Sequence, residues 1–133
     1  MKLLIDSDFL VGVFRDEDPH HDEAKILLRK YKNQPAQLHV VSLVLFETAT
    51  VLSHRTGMNA ARLFHEHLPE LELAVVDVDT NLEKHSWEIF LGQTKKGTSF
   101  VDCANLATFE LYKLDGILSF DTFYPKEILI KLS

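Results

Sequence analysis

Four short apolar runs, Leu3–Ile5, Leu38–Val41, Leu73–Val78 and Ile117–Phe120, alternate with segments whose apolar residues recur at helical spacing. No other feature limits the possible folds as tightly. Runs of this length suit strands buried on both faces, and parallel strands need helix-length crossovers between them. The alternation predicts an α/β domain, a parallel sheet with helices on both faces. A weaker run, Ile128–Leu132, raises the expected strand count to five.

The intervening segments carry helix signals. Phe9–Phe14 follows Ser7 and Asp8, either of which can start a helix. Pro19 opens a second, with Ala24, Leu27, Leu28 and Tyr31 on one face. Ser42 is placed to cap a helix reaching about Thr56, with Gly57 as its stop. Asn59 is read as the cap of a short helix bearing Leu63, Phe64 and His67. Leu82 to about Thr94 reads as a helix with Trp87 and Leu91 inward. Ser99 is read as the cap of a last helix from Phe100 to about Lys113.

A chain of 133 residues, 46% of them hydrophobic, can build one core unaided, so one domain over residues 1–133 is expected. There is no repeat and no Gly/Ser linker. A single cysteine, Cys103, forms no internal disulfide and fits a reducing compartment. Met-Lys-Leu-Leu-Ile meets Asp6 too early for a signal peptide, and no apolar run is long enough to span a bilayer. A cytoplasmic protein, with no membrane partner, is expected. The formal charge of −6 argues against a generic nucleic-acid coat. It leaves a nuclease open, because acids gathered in one site can be offset by bound divalent metal.

The acids carry the chemistry. Asp6 ends the first strand and Asp121 follows the fourth, at the strand ends where open α/β sheets bind ligands. Glu47 interrupts an apolar stretch, Leu43 to Val51, where a carboxylate is costly without a cation or hydrogen bonds. Asp102 stands three residues after Ser99. Read singly, Asp6 and Asp102 also fit helix caps, Asp121 a turn, and Glu47 a helix end or an ion pair. Read together, all four converge on one crevice if the first and fourth strands are neighbours. Such an oxygen-only set suits Mg²⁺ or Mn²⁺ rather than zinc. His65 and His67 point to different sides of a helix, and His20 and His21 lie in an acidic, exposed stretch, so a histidine metal site is not expected. Cys103 reads as a core residue. Arg15, Arg55, Lys95 and Lys96 are candidate phosphate contacts by charge alone.

Four segments in order, Leu4-Ile5-Asp6-Ser7-Asp8, Val41-Ser42-Leu43-Val44-Leu45-Phe46-Glu47, Ser99-Phe100-Val101-Asp102-Cys103-Ala104 and Leu118-Ser119-Phe120-Asp121, resemble a PIN-domain nuclease, nearest the VapC-type toxins of toxin–antitoxin pairs. The resemblance covers essentially the whole chain. It implies strand order 3-2-1-4-5, which makes the first and fourth strands neighbours. It also implies a metal-dependent endoribonuclease in which Asp6, Glu47, Asp102 and Asp121 hold Mg²⁺ or Mn²⁺. The products would be a 5′-phosphate and a 3′-hydroxyl. Ser99 and Ser119 match supporting hydroxyl residues. RNA as substrate, an antitoxin protein as partner and a homodimer are implied as well. There are three departures from the pattern. Asp8 stands where Asn or Ser is common and is either an added ligand or a cap. Ser119 replaces a frequent Thr. Thr122, Phe123 and Tyr124 stand where a further acid often follows, which bears on whether one metal or two is held.

Two other classes fit parts of the chain. In a haloacid-dehalogenase-like phosphatase, Asp6 would be the nucleophile, Asp8 the acid/base and Ser42 a phosphate-binding hydroxyl, with Glu47 unexplained. A non-catalytic RNA- or partner-binding module is the other class, and the intact acid set argues against it. A receiver-like variant of that module would place its phosphorylated acid at Asp77 or Asp79, after the third strand, but it needs a lysine after the fifth strand, and Lys131 falls within that strand.

Overall fold

The structure is a computed structural model and describes residues 1–132. The chain order is β1 (Lys2–Ile5), α1 (Ser7–Phe14), α2 (His21–Lys32), β2 (Gln37–Val41), α3 (Ser42–Arg55) and α4 (Met58–His67). A 3-10 turn (Leu68–Leu71), β3 (Ala74–Val76), α5 (Thr80–Leu91), α6 (Phe100–Leu111), β4 (Gly116–Leu118) and a second 3-10 turn (Lys126–Ile128) follow. The strands form one parallel sheet in the order β3-β2-β1-β4. Leu3, Leu4, Ile5, Val40, Ile117 and Leu118 are fully buried in its centre, as strands covered on both faces require.

The chain steps from β1 to β2 to β3 in one direction, then crosses back to β4 on the other side of β1. Right-handed crossovers place α1–α4 on one face and α5 and α6 on the other. The direction reverses between β1 and β4, so their carboxyl ends flank the crevice where such sheets bind ligands.

The expected fifth strand is reduced to one rung. Leu129 bridges Ile117 in parallel, and the Ile130 amide donates to the Ile117 carbonyl at 3.0 Å. Pro125 and the turn it starts, Lys126–Ile128, consume the residues a longer strand would need. The segment still lies beside β4. A Cβ on Gly116 would come within 2.6 Å of Ile130 Cδ1, so a larger residue would have to push that side chain aside.

Helix details differ in instructive ways. Trp87 and Leu91, expected inward, are 45% and 74% exposed. The inward face of α5 runs through Leu82, Ser86 and Ile89. Ser86 sits in the core because its hydroxyl donates to the Leu82 carbonyl at 2.7 Å, and a polar residue at a core position rotates the apparent apolar face. Ser42 is the first residue of α3, preceded by Val41 as cap. Asn59 lies inside α4, where its side-chain oxygen accepts from Arg62. Helix α3 buries Val44, Thr48 and Leu52 but leaves Phe46 outside, so Glu47 is half-buried rather than enclosed.

Candidate active site

Asp6 follows the last residue of β1, and its side chain caps α1, with Oδ1 accepting from the Ser7 amide at 2.7 Å. The cap reading and the site reading are therefore both true of one residue. Asp6 is 2% exposed. Oδ1 also accepts from Asn105 Nδ2 at 3.0 Å, and Oδ2 accepts from Ser119 Oγ at 2.8 Å and the Tyr124 hydroxyl at 3.1 Å. Burial nevertheless raises its carboxyl above the ordinary range, against the lowering effect of these bonds and with a contribution from the Asp121 charge.

Asp102 lies in the first turn of α6. Its amide donates to the Ser99 hydroxyl at 3.3 Å, which makes Ser99 the cap, as expected. The Asp102 carboxylate accepts from the Tyr124 hydroxyl at 3.3 Å. Burial, and then the charges of Asp6 and Asp121, push it up to about 8. Asp121 lies beyond β4. Its amide donates to Ser119 Oγ at 3.0 Å, and its Oδ1 accepts from the Phe123 amide at 2.9 Å, so it too shapes a turn.

One carboxylate oxygen from each of Asp6, Asp102 and Asp121 lies within 4.8 Å of the others. Glu47 stands beside this trio rather than in it. Its Oε1 accepts from Ser7 Oγ at 3.2 Å, while Oε2 is buried without a hydrogen-bond partner. Burial raises its carboxyl, and Asp6 adds to the effect. Asp8 lies behind the trio: Ser119 Oγ is 3.2 Å from its Oδ1, and the Phe120 amide donates to its Oδ2 at 3.1 Å. Burial and the Asp6 charge push it up to about 7.

Sequence reasoning missed Asn105 and Tyr124, which are buried and bound to Asp6 and to each other. Asn105 had a readable signal: it lies one turn beyond Asp102 on the same helix face. Tyr124 had none, since only the turn after Asp121 brings it back under the cluster.

Two of the trio, Asp102 and Asp121, line a cavity of about 430 Å³ together with Lys95, Lys96, Ser99 and Phe123, while Asp6 lies buried behind them. Of the four candidate cations, Lys95 and Lys96 are thus at the site. Arg15 lines a separate cavity with Asp16 and Glu17, where its Nε donates to Thr56, and Arg55 is exposed on α3.

Among the described residues no Lys or Arg pairs with Asp6, Asp8, Glu47, Asp102 or Asp121; every ion pair involves a histidine elsewhere. Crowded carboxylates raised first by burial and then by one another's charge, with a buried orphan oxygen on Glu47, fit a hard divalent cation of the Mg²⁺ or Mn²⁺ type. The histidines are not gathered. His67 faces Glu70, His21 faces the Gly12 carbonyl, and His20 stacks on Phe120. Cys103 is a fully buried core residue. Asp6 makes a poor nucleophile, with both oxygens engaged and almost no exposure, which counts against the phosphatase reading. Asp79 is the cap of α5, accepting from the Leu82 amide, which removes the receiver-like reading's main support.

A doubly wound parallel sheet with a carboxylate-lined crevice at its switch point defines an α/β domain built around an acidic site. The chain belongs to the PIN-domain family, whose model matches residues 3–126. It is 26% identical over 119 residues to the 23S rRNA-specific endonuclease VapC20 of Mycobacterium tuberculosis, covering 90% of this chain and 88% of that protein. The crystal structure of that VapC20, a Sarcin-Ricin loop cleaving toxin, superposes with a TM-score of 0.81 at 25% identity over 91% of each chain. A toxin–antitoxin complex from Klebsiella pneumoniae shares the fold, with a TM-score of 0.67 at 17% identity over 97% of this chain and 96% of that one. So does VapBC2 of Rickettsia felis, solved on a promoter DNA fragment, with a TM-score of 0.69 at 12% identity over all of both chains. No helix among the described residues is long and apolar enough to cross a membrane.

Proposed function

We propose that this chain is a VapC-type endoribonuclease that hydrolyses RNA phosphodiesters with Mg²⁺ or Mn²⁺ held by Asp6, Asp102 and Asp121. The observation that carries the reading is the convergence of three carboxylates within 4.8 Å at the switch point, with no cation among the described residues paired to them. VapC20 supports RNA as the substrate class.

When bound, a divalent cation supplies an activated water and offsets the negative charge that builds on a phosphoryl group. The protein's own part is orientation. Asn105, Ser119 and Tyr124 fix the Asp6 carboxylate from three sides, and Tyr124 ties it to Asp102. Ser119 also anchors the Asp121 amide, so the turn after β4 holds its register against β1. Ser99 sets the start of α6 and hence the height of Asp102. Glu47, with Oε1 held by Ser7 and Oε2 free, would be a further oxygen ligand or an added charge for the ion. The products are a 5′-phosphate and a 3′-hydroxyl. In the cell, we place the chain in the cytoplasm as a homodimer restrained by an antitoxin protein.

The test is cleavage of labelled single-stranded RNA by chelator-stripped protein, with and without restored Mg²⁺ or Mn²⁺. Cleavage that returns only with metal, leaving 5′-phosphate ends, is expected. Full activity in excess chelator overturns the reading.

A further inference from the structure

A chain of net charge −6 that presents a carboxylate cluster to RNA needs local positive charge to hold the flanking phosphates. Two cavities meet at Asp121 and Thr122. One also carries Lys95 and Lys96, with no acids other than Asp102 and Asp121. The other carries His20, Glu23 and Lys131, a single lysine with an acid besides Asp121. Positive charge is therefore concentrated on one flank of the cluster, at the α5–α6 connection.

That connection is a built turn. Thr98 Oγ1 donates to the Lys95 carbonyl at 2.8 Å, and Gly97 takes a φ of +85°, in the region other residues rarely adopt. One residue past Thr98, Ser99 caps the helix that carries Asp102. The backbone positions of both lysines are thus tied to the same helix start as a carboxylate of the site. Both side chains are exposed, and neither has a carboxylate partner among the described residues.

We propose that Lys95 and Lys96 clamp the backbone phosphates of the RNA on the α5–α6 side of the scissile bond. This inference rests on the nuclease reading for its substrate class. The lysines are positioning residues: as compact, strongly hydrated charges they grip phosphates without reading bases. Their loss weakens binding uniformly across sequences and spares the chemical step at saturation.

The experiment measures the affinity of the wild-type chain for a labelled single-stranded RNA by fluorescence anisotropy. It is run across a salt series with Ca²⁺ in place of Mn²⁺, and strand integrity is checked on gels. Cleavage kinetics in Mn²⁺ run in parallel. The double variant Lys95→Gln/Lys96→Gln is compared with a charge-matched control, Lys25→Gln/Arg55→Gln, whose sites are exposed and line neither cavity. Melting curves check that both fold. The clamp variant is expected to lower the slope of log affinity against log salt by about 1.4, roughly 0.7 per phosphate contact on a single strand. Its KM should rise with kcat nearly unchanged, and the control should match wild type. An unchanged slope in the clamp variant, or an equal fall in the control, overturns the proposal while leaving cleavage by wild type intact. Salt-sensitive binding lost in the clamp variant, with no cleavage in Mn²⁺, keeps the clamp and overturns the nuclease reading. No binding by wild type overturns the clamp.

Discussion

Ser119 Oγ lies 2.8 Å from Asp6 Oδ2, and so joins the ends of β4 and β1 across the switch point. The same hydroxyl is 3.2 Å from Asp8 Oδ1 and accepts from the Asp121 amide. One hydrogen serves two carboxylates, while the lone pairs hold a third acid in place. Removing the hydroxyl frees Asp6 to turn and loosens Asp121. In Ser119→Ala, kcat is expected to fall by about 10–100-fold, the usual cost of losing a group that orients a metal ligand. Ser119→Thr keeps the hydroxyl and should retain most activity. Steady-state kinetics on RNA check both, and equal rates for Ala and wild type would remove Ser119 from the site.

Tyr124→Phe tests the bridge beneath the cluster. The ring is part of the core, so the change removes only the hydroxyl that spans Asp6, Asp102 and Asn105. The cost is expected to be about 2 kcal/mol, since the bonds engage charged groups and Asn105 already has a buried oxygen without a partner. For a domain of this size that lowers Tm by about 8 °C. A melting curve of the metal-free protein checks it.

Much of this arrangement was legible in the sequence, for a physical reason. Strand burial and helix spacing are local patterns, and acids at strand ends mark the edge where a parallel sheet binds. Asp6, Asp102 and Asp121 were readable because each follows such a pattern. Tyr124 was not, because its role depends on a turn that returns the chain under the site. The outward face of α5 was misread because Ser86 hides in the core by bonding to its own helix. The fifth strand was over-read because apolar residues at Ile128–Leu132 pack over Gly116 without forming a ladder.

The acids set a pH dependence whose sign follows from their shifts. Asp8 and Asp102 are raised in the folded protein to about 7 and about 8, from a reference value of 3.8. The folded state therefore binds more protons than the unfolded chain between those values, and stability falls as pH rises through them. Metal-free protein should melt higher at pH 5 than at pH 8.5. Divalent metal binds the ionised carboxylates, so the metal-induced rise in Tm should grow over the same range. Melting curves across that range, with EDTA and with Mn²⁺, check both trends.

The most direct measurement of the metal-holding cluster needs no substrate: melting curves of wild type and Asp102→Asn, with EDTA and with millimolar Mn²⁺. Asp102 is chosen because it is half-buried and raised partly by the charges of Asp6 and Asp121, whereas Asp6 is bound by four donors that an amide would disturb. At about a hundred times its dissociation constant, the metal should stabilise wild type by about 2.7 kcal/mol, a rise of about 10 °C. At pH 8.5, where the Asp102 carboxyl of wild type is largely ionised, Asp102→Asn should melt above wild type in EDTA, because repulsion is relieved, and should lose most of the rise with Mn²⁺. The same rise in both proteins, or none in either, would contradict a metal site built on Asp6, Asp102 and Asp121.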